Sequence, residues 1–360
     1  MGFDTVRSVN FRNLADSRTN LSGADKIFLV GLNGQGKTNF LEMIYYLCYA
    51  SSFRGKSDKG LCRHGEEGFF TGASYSFNNQ QFGSLGISFK NGVRTTKIDE
   101  KIIRDRKELI NNIPCVVFCH DDLSFVTGSP ERKRWFFDQT LSYQYPLYVD
   151  SLRRYKKILN QRNKVLKEKK RDLLEIYTVQ MVKTGKEIQS RRKELNELFN
   201  VHFSRYFKKI SGLEGDLTIS YQPSWRGMEE EKEIFDFMKA REEKEIFRGS
   251  SLYGPHRDNF TFIQEGKNFT DFGSTGQMRL ISLIMRIAQA DFVSASQEKK
   301  PILLLDDVLL ELDREKRALF LDSLPSYEQA FFTFLPGDDT YTRGGNSLFF
   351  DIEEGVLSKR

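Results

Sequence analysis

Lys26-Ile27-Phe28-Leu29-Val30 followed by Gly31-Leu32-Asn33-Gly34-Gln35-Gly36-Lys37-Thr38 is the stretch that decides the fold. The apolar run reads as a buried strand. The helix after it is marked by Phe40, Leu41, Ile44, Tyr45 and Cys48 at helical spacing, so the order is strand, loop, helix. Residues 31–38 match a glycine, four free positions, then Gly-Lys-Thr at every fixed place. Such a loop turns its backbone N–H groups and a helix N-terminus toward anionic oxygens. The lysine neutralises β- and γ-phosphate charge and the threonine hydroxyl suits Mg²⁺. A glycine-rich turn without a ligand is the bland alternative, and the flanking strand and helix speak against it. Gly31 to Thr38 are therefore read as nucleotide-binding, with Lys37 also catalytic and Thr38 also a metal ligand.

Two further segments narrow the chemistry. Pro301 to Val308, PILLLDDV, is an apolar run ending in two carboxylates, suited to a parallel sheet beside the first strand. Asp306 at its end is placed to hold the metal, and Asp307 to orient or deprotonate an attacking water. Ser274-Thr275-Gly276-Gln277 opens an amphipathic helix carrying Leu280, Ile281, Ile284, Ile287 and Ala288. Alone it is a good N-cap. After a phosphate loop and before the paired aspartates, it reads as an ABC-type signature, with Ser274, Gly276 and Gln277 completing a neighbouring copy's nucleotide site. Guanine readers carry Asn-Lys-x-Asp, whereas Asn163-Lys164 is followed by Val165-Leu166, which disfavours GTP.

The 360 residues allow one large domain or two ordinary ones and are enough for a sizeable core. Discounting Tyr and adding Gly, its apolar share is roughly 43%, just below ordinary globular usage, which excludes wholesale disorder. No run is long enough to span a membrane, and the N-terminus lacks a secretory pattern, so a soluble cytoplasmic protein is expected. Val6 stands where a myristoylation signal needs Ser or Thr. Four cysteines do not make a disulfide framework at this length. Cys115 and Cys119 read as buried thiols on one strand face, rather than as a metal site.

Net charge is +6, but Arg153 to Lys209 holds 18 Lys/Arg against 6 Asp/Glu, or +12, so the remainder sums to −6. Concentrated positive charge attracts a polyphosphate backbone; a solvated lysine-rich face is the plain alternative. Arg153, Arg154, Lys156, Arg162 and Lys164 are the candidate contacts to such a backbone. No proline occurs between Pro146 and Pro223, and Leu152, Tyr155, Leu159, Leu166, Leu173, Tyr177 and Met181 recur at near-heptad steps. Two antiparallel helices are expected, turning near Thr184 and Gly185. The acidic stretch Met228 to Glu245 reads as a helix or linker, and Phe69 to Val126, FTFIQEG and Ala330 to Thr333 as β structure. Trp135, Phe136 and Phe137 are assigned to core, and His256 and Arg257 to a buried network behind a Gly-Pro turn.

Taken in order, NFRNL, GLNGQGKTNFLEMIYYL, SFR with LCRHG, VVFCHDDLSFVTGSPERKRWFFD, YKKILNQRNKVLK, YGPHRDNF, FGSTGQMR and PILLLDDVLLELD resemble the RecF family of DNA replication and repair proteins, within the SMC-like ABC ATPases. The resemblance covers nearly the whole chain. It implies an α/β fold: an ABC-type P-loop ATPase head with a mixed β-sheet and an inserted helical lobe. The expected divisions are 1–145, 146–247 and 248–360. It further implies ATP and Mg²⁺ as cofactors, slow ATP hydrolysis, ATP-dependent homodimerisation, and binding to double-stranded DNA near gaps. RecR is the implied partner, with links to RecO and RecA loading; no membrane is involved. Glu311-Leu312-Asp313 resembles a D-loop, and Thr333 stands where many ABC proteins have histidine. The sequence departs from the family at His120-Asp121-Asp122, Lys133-Arg134, Asn259 and TFLPGDD, which bears on lobe contacts and γ-phosphate sensing. A mechanical SMC-like head and a non-hydrolysing adaptor are the alternatives; the short helical insert disfavours the first.

Overall fold

A computed structural model describes residues 2–77, 81–105, 107–110, 112–297, 299–337 and 345–360. The chain divides into two compact units, residues 1–121 with 289–360, and residues 122–288.

The first unit is built on a six-stranded sheet in the order Val356–Lys359, Ser347–Glu353, Lys26–Val30, Gln329–Phe334, Ile302–Leu305, Cys115–Phe118. All neighbours run parallel except the hairpin at the first edge. Strands covered on both faces read as unbroken apolar runs, and KIFLV, ILLL, QAFFTF and CVVF do so because they are almost wholly buried. The helix Lys37–Tyr49 begins directly after the Gly31–Gly36 turn. In such sheets ligands gather at the carboxyl ends of the strands, where the 31–38 loop and Asp306 both emerge. A second, antiparallel sheet runs Ser17–Asn20, Gly2–Val9, Gly68–Phe77, Gln81–Lys90, Val93–Ile98, Lys101–Ile103. Its Asn91-Gly92 turn has positive φ at both residues, the two-residue hairpin that Asn-Gly favours.

The second unit packs the helices Pro130–Gln144, Tyr148–Glu168, Arg171–Ile210, Glu231–Lys239 and Glu242–Arg248 with a small antiparallel sheet of Leu217–Gln222, Asn259–Gln264 and Lys267–Asn268. It is wider than the expected 146–247 segment. Strand pairing from Asn259↔Gln222 to Gln264↔Leu217 draws in the residues after 248, and Phe137 stacked 3.9 Å from Phe260 draws in the helix before 146. The expected turn at Thr184 and Gly185 is absent: Arg171–Ile210 is one helix of 40 residues, and the reversal occurs at Lys169, held left-handed at φ 56. Gly185 serves close approach instead, since a Cβ there would meet Trp225 at 2.6 Å and Pro255 at 3.1 Å. The acidic stretch forms the two short helices from Glu231 and Glu242.

Phe136 and Phe137 are core, while Trp135 is 42% exposed and stacks on Phe125. Cys115 is buried as expected, but Cys119 lies beyond its strand and is partly exposed. Asp122 is buried against Arg286 at 2.7 Å, Lys133 lies over the Phe262 ring, and Asn259 Oδ1 is buried without a partner. Asp338 and Asp339 of TFLPGDD lie outside the described residues. Among those described, no helix is long and apolar enough to cross a membrane.

Candidate nucleotide site

The loop after Lys26–Val30 opens onto a cleft of about 250 Å³ whose walls include Leu32, Asn33, Lys37, Thr38, Arg54 and Asp307. Gly36, immediately before the helix, has φ 118, a conformation that L side chains rarely adopt. Lys37 is buried, and its Nζ donates to the carbonyls of Gly31 at 2.7 Å and Leu32 at 3.3 Å. Its positive charge is thereby held at the floor of the loop.

Thr38 Oγ1 donates to Asp306 Oδ1 at 2.8 Å, joining the start of the helix to the end of the Ile302–Leu305 strand. Burial raises the Asp306 carboxyl to about 6; the Thr38 hydrogen bond opposes this and the Asp307 charge adds to it. A carboxylate beside a hydroxyl is a hard-oxygen donor pair. The pair fits Mg²⁺.

Asp307 has φ 54, unusual for a residue with a side chain. Its N–H donates to Thr333 Oγ1 at 2.8 Å, and the Thr333 hydroxyl donates back to Asp307 Oδ1 at 2.8 Å. One buried threonine on the neighbouring strand thus holds both backbone and carboxylate. Sequence reasoning places Thr333 by resemblance alone, without this contact.

Arg54 is a site residue that sequence reasoning misses, although SFR is among the matching segments. Its guanidinium lines the cleft, donates to Asn39 Oδ1 at 3.0 Å and lies 3.7 Å from Glu42. Glu42, fully buried on the loop helix, also accepts two bonds from Arg12, at 3.0 and 3.2 Å, and one from the Ser52 hydroxyl. The readable signal is an acidic residue on the buried face of a helix, which demands cationic partners.

In the second unit, Ser274 and Gln277 form a reciprocal cap: Ser274 N–H donates to Gln277 Oε1 at 2.8 Å, and Gln277 N–H to Ser274 Oγ at 3.2 Å. Ser274 and Gly276 are exposed at this helix start. Asp313 caps the helix Arg314–Leu321 through Lys316 N–H at 2.8 Å, which holds its carboxyl below the usual range.

Arg153, Arg154, Lys156 and Lys164 are exposed along Tyr148–Glu168; Arg153 reaches Asp150 at 3.5 Å and Lys164 reaches Glu168 at 3.9 Å. Arg162 corrects the expected set. It is 1% exposed and donates to Glu245 at 2.6 Å, Ser251 at 2.8 Å and Thr178 at 3.0 Å, so it ties the lobe together and is withdrawn from any phosphate. Its spacing from Tyr155, Ile158 and Val165 puts it on the helix's buried face.

His256 sits in the expected network, but Arg257 corrects it: its side chain is exposed and reaches Ser251 O at 3.3 Å. His256 Nε2–H donates to Ser251 O at 3.0 Å, so Nδ1 accepts from Tyr155 Oη at 2.8 Å, and burial lowers the imidazole to about 4. Asp258 accepts from Gln189, Arg192, Tyr221 and the Ser224 N–H. These groups bind one another.

Residues 3–335 match the RecF/RecN/SMC N terminal domain. The DNA replication and repair protein RecF of Treponema pallidum (strain Nichols) is 40% identical over 354 residues, 98% of this chain and 99% of that protein. RecF of Bacillus cytotoxicus is 35% identical over 346 residues, 92% and 91% of the two chains. A solved structure of the recombination mediator protein RecF with ATP in the RecFOR pathway superposes with TM-score 0.90 at 27% identity, covering 99% of this chain and 97% of the other. An SMC head bound to the C-winged helix domain of ScpA shares the fold alone, at TM-score 0.58 and 13% identity. Phosphate loop, paired aspartates and signature-type helix on this α/β framework define an SMC-like ABC ATPase head. Within that class the chain belongs to the RecF family of DNA replication and repair proteins.

Proposed function

We propose that the chain is an ATP-switched clamp on double-stranded DNA that acts in recombinational repair at gaps. One observation carries the reading: Lys37, Thr38, Asp306 and Asp307 converge on one end of a single parallel sheet, beside the phosphate loop. ATP phosphates lie on the loop amides with Lys37 beneath them and Arg54 at the cleft wall. Thr38 and Asp306 would hold Mg²⁺, which would supply charge neutralisation for the triphosphate. Asp307, kept in place by Thr333, orients the attacking water and takes its proton. Ser274, Gly276 and Gln277 of a second copy complete the site, so ATP stabilises a homodimer and hydrolysis releases it.

In this reading Arg153, Arg154, Lys156 and Lys164 contact DNA phosphates without reading bases. Duplex DNA stimulates a slow turnover, and RecR is the protein partner, with RecO and RecA acting in the same cytoplasmic process. The similarity to an ATP-bound recombination mediator of the RecFOR pathway supports this assignment. The helices of 21 and 40 residues in the second unit fit a compact lobe better than a mechanical SMC arm.

Sedimentation velocity with ADP, with ATP and with ATP plus gapped duplex tests the clamp, alongside turnover with and without DNA. Wild-type chain is expected to pair with ATP and to hydrolyse faster on duplex, while Ser274→Arg stays monomeric and slow. A wild-type monomer under all three conditions, or pairing and turnover untouched by Ser274→Arg, overturns it. Pairing without any ATP consumption selects the adaptor reading.

A further inference from the structure

An anion cradle presents amides only when its carbonyl oxygens are turned away from the anion. In the 31–38 loop, Lys37 Nζ draws the carbonyls of Gly31 and Leu32. Those of Gly34 and Gln35 are drawn by residues outside the motif. Asn13 Nδ2 donates to Gly34 O at 3.2 Å, and Gly355 N–H donates to Gln35 O at 2.9 Å. The Gln35 side chain is tied as well, since Glu354 N–H donates to its Oε1 at 2.6 Å.

Glu354 and Gly355 are the two turn residues of the C-terminal hairpin, whose strands pair at Glu353↔Val356. Both have positive φ, 46 and 81. A Cβ on Gly355 would lie 1.9 Å from Asn13 O, and Gly355 O accepts from Ala15 N–H at 2.9 Å. The hairpin turn and the Asn13 segment therefore form one wall behind the loop.

We propose that Asn13 and the Glu354-Gly355 turn are positioning residues for nucleotide binding, holding the Gly34 and Gln35 carbonyls outward so that the loop amides face the phosphates. The inference rests on the nucleotide reading above. It also assigns the Gln35 side chain to the hairpin rather than to the ligand. Residues 319 positions away in sequence thus set how well the loop binds.

The test is titration with ATP and with ADP, plus steady-state hydrolysis, on full-length wild type, Asn13→Ala, Gln35→Ala and the double variant. Each single change is expected to weaken both nucleotides about fivefold, the worth of one neutral hydrogen bond. KM should rise with kcat little changed, and melting without nucleotide should hardly move. Both single variants binding within about twofold of wild type, or losing kcat at unchanged KM, overturns the inference. Should Asn13→Ala melt at the assay temperature, Gln35→Ala decides alone. Wild type that binds neither nucleotide overturns the nucleotide reading itself; wild type that binds beside unaffected variants overturns only the wall.

Discussion

Asp307 lies one residue beyond the metal-side carboxylate, and its left-handed backbone is stabilised by a threonine that both accepts from its N–H and donates to its side chain. This separates its work from that of Lys37, which sits under the loop. Lys37→Met is expected to abolish ATP binding, and ATP-dependent pairing with it. Asp307→Asn keeps a side-chain oxygen for Thr333 but loses the base, so ATP binding and pairing should survive while turnover falls at least ~100-fold, the usual worth of a general base. Nucleotide titration beside a phosphate-release assay checks both; an Asp307→Asn chain that no longer pairs with ATP would show that the carboxylate supports binding. The motif residues are legible because their spacing is short and local. Arg54 and Asn13 are not, because nothing local requires an arginine in the 51–57 segment or an amide near the N-terminus to face the phosphate loop.

Among the elements, the Arg171–Ile210 helix shows why a glycine in a helical pattern has two readings. Gly185 reads as a turn, yet the helix runs through it and Trp225 fills the space over its Cα. Gly185→Ala therefore sets a helix-propensity gain of ~1 kcal/mol against overpacking of ~1–3 kcal/mol, and net destabilisation is expected. Urea unfolding measures it; a stabilised variant would mean that Trp225 can yield. The true reversal at Lys169 and Lys170 carries no glycine or proline, so no breaker residue marks it. Arg162 misleads for a related reason. Its charge suggests solvent, while its heptad position points inward to Glu245, and position prevails because each guanidinium nitrogen finds an acceptor there.

For the whole molecule the relevant quantity is the charge left exposed after such internal pairing. Lys156→Glu with Lys164→Glu is expected to weaken duplex binding and to flatten the dependence of log K on log salt by about two. Arg162→Ala should instead lower the melting temperature without any such change in slope. Fluorescence anisotropy across a salt series, set beside thermal melting, distinguishes the two; an unchanged slope in the double variant would remove this helix from the DNA-facing surface.

The chain's sequence by itself determined the phosphate-loop motif, the paired aspartates at the end of an apolar strand, the Ser-Thr-Gly-Gln helix start and the α/β class. Each is written in contiguous residues whose backbone geometry is set by neighbours a few positions away. Only tertiary structure decided which partners the buried charges take, where the helical unit begins and ends, and how Asn13, Thr333 and the Glu354-Gly355 turn close around the site. Those outcomes depend on strand order and packing between segments far apart in the chain, and no local periodicity encodes such pairings.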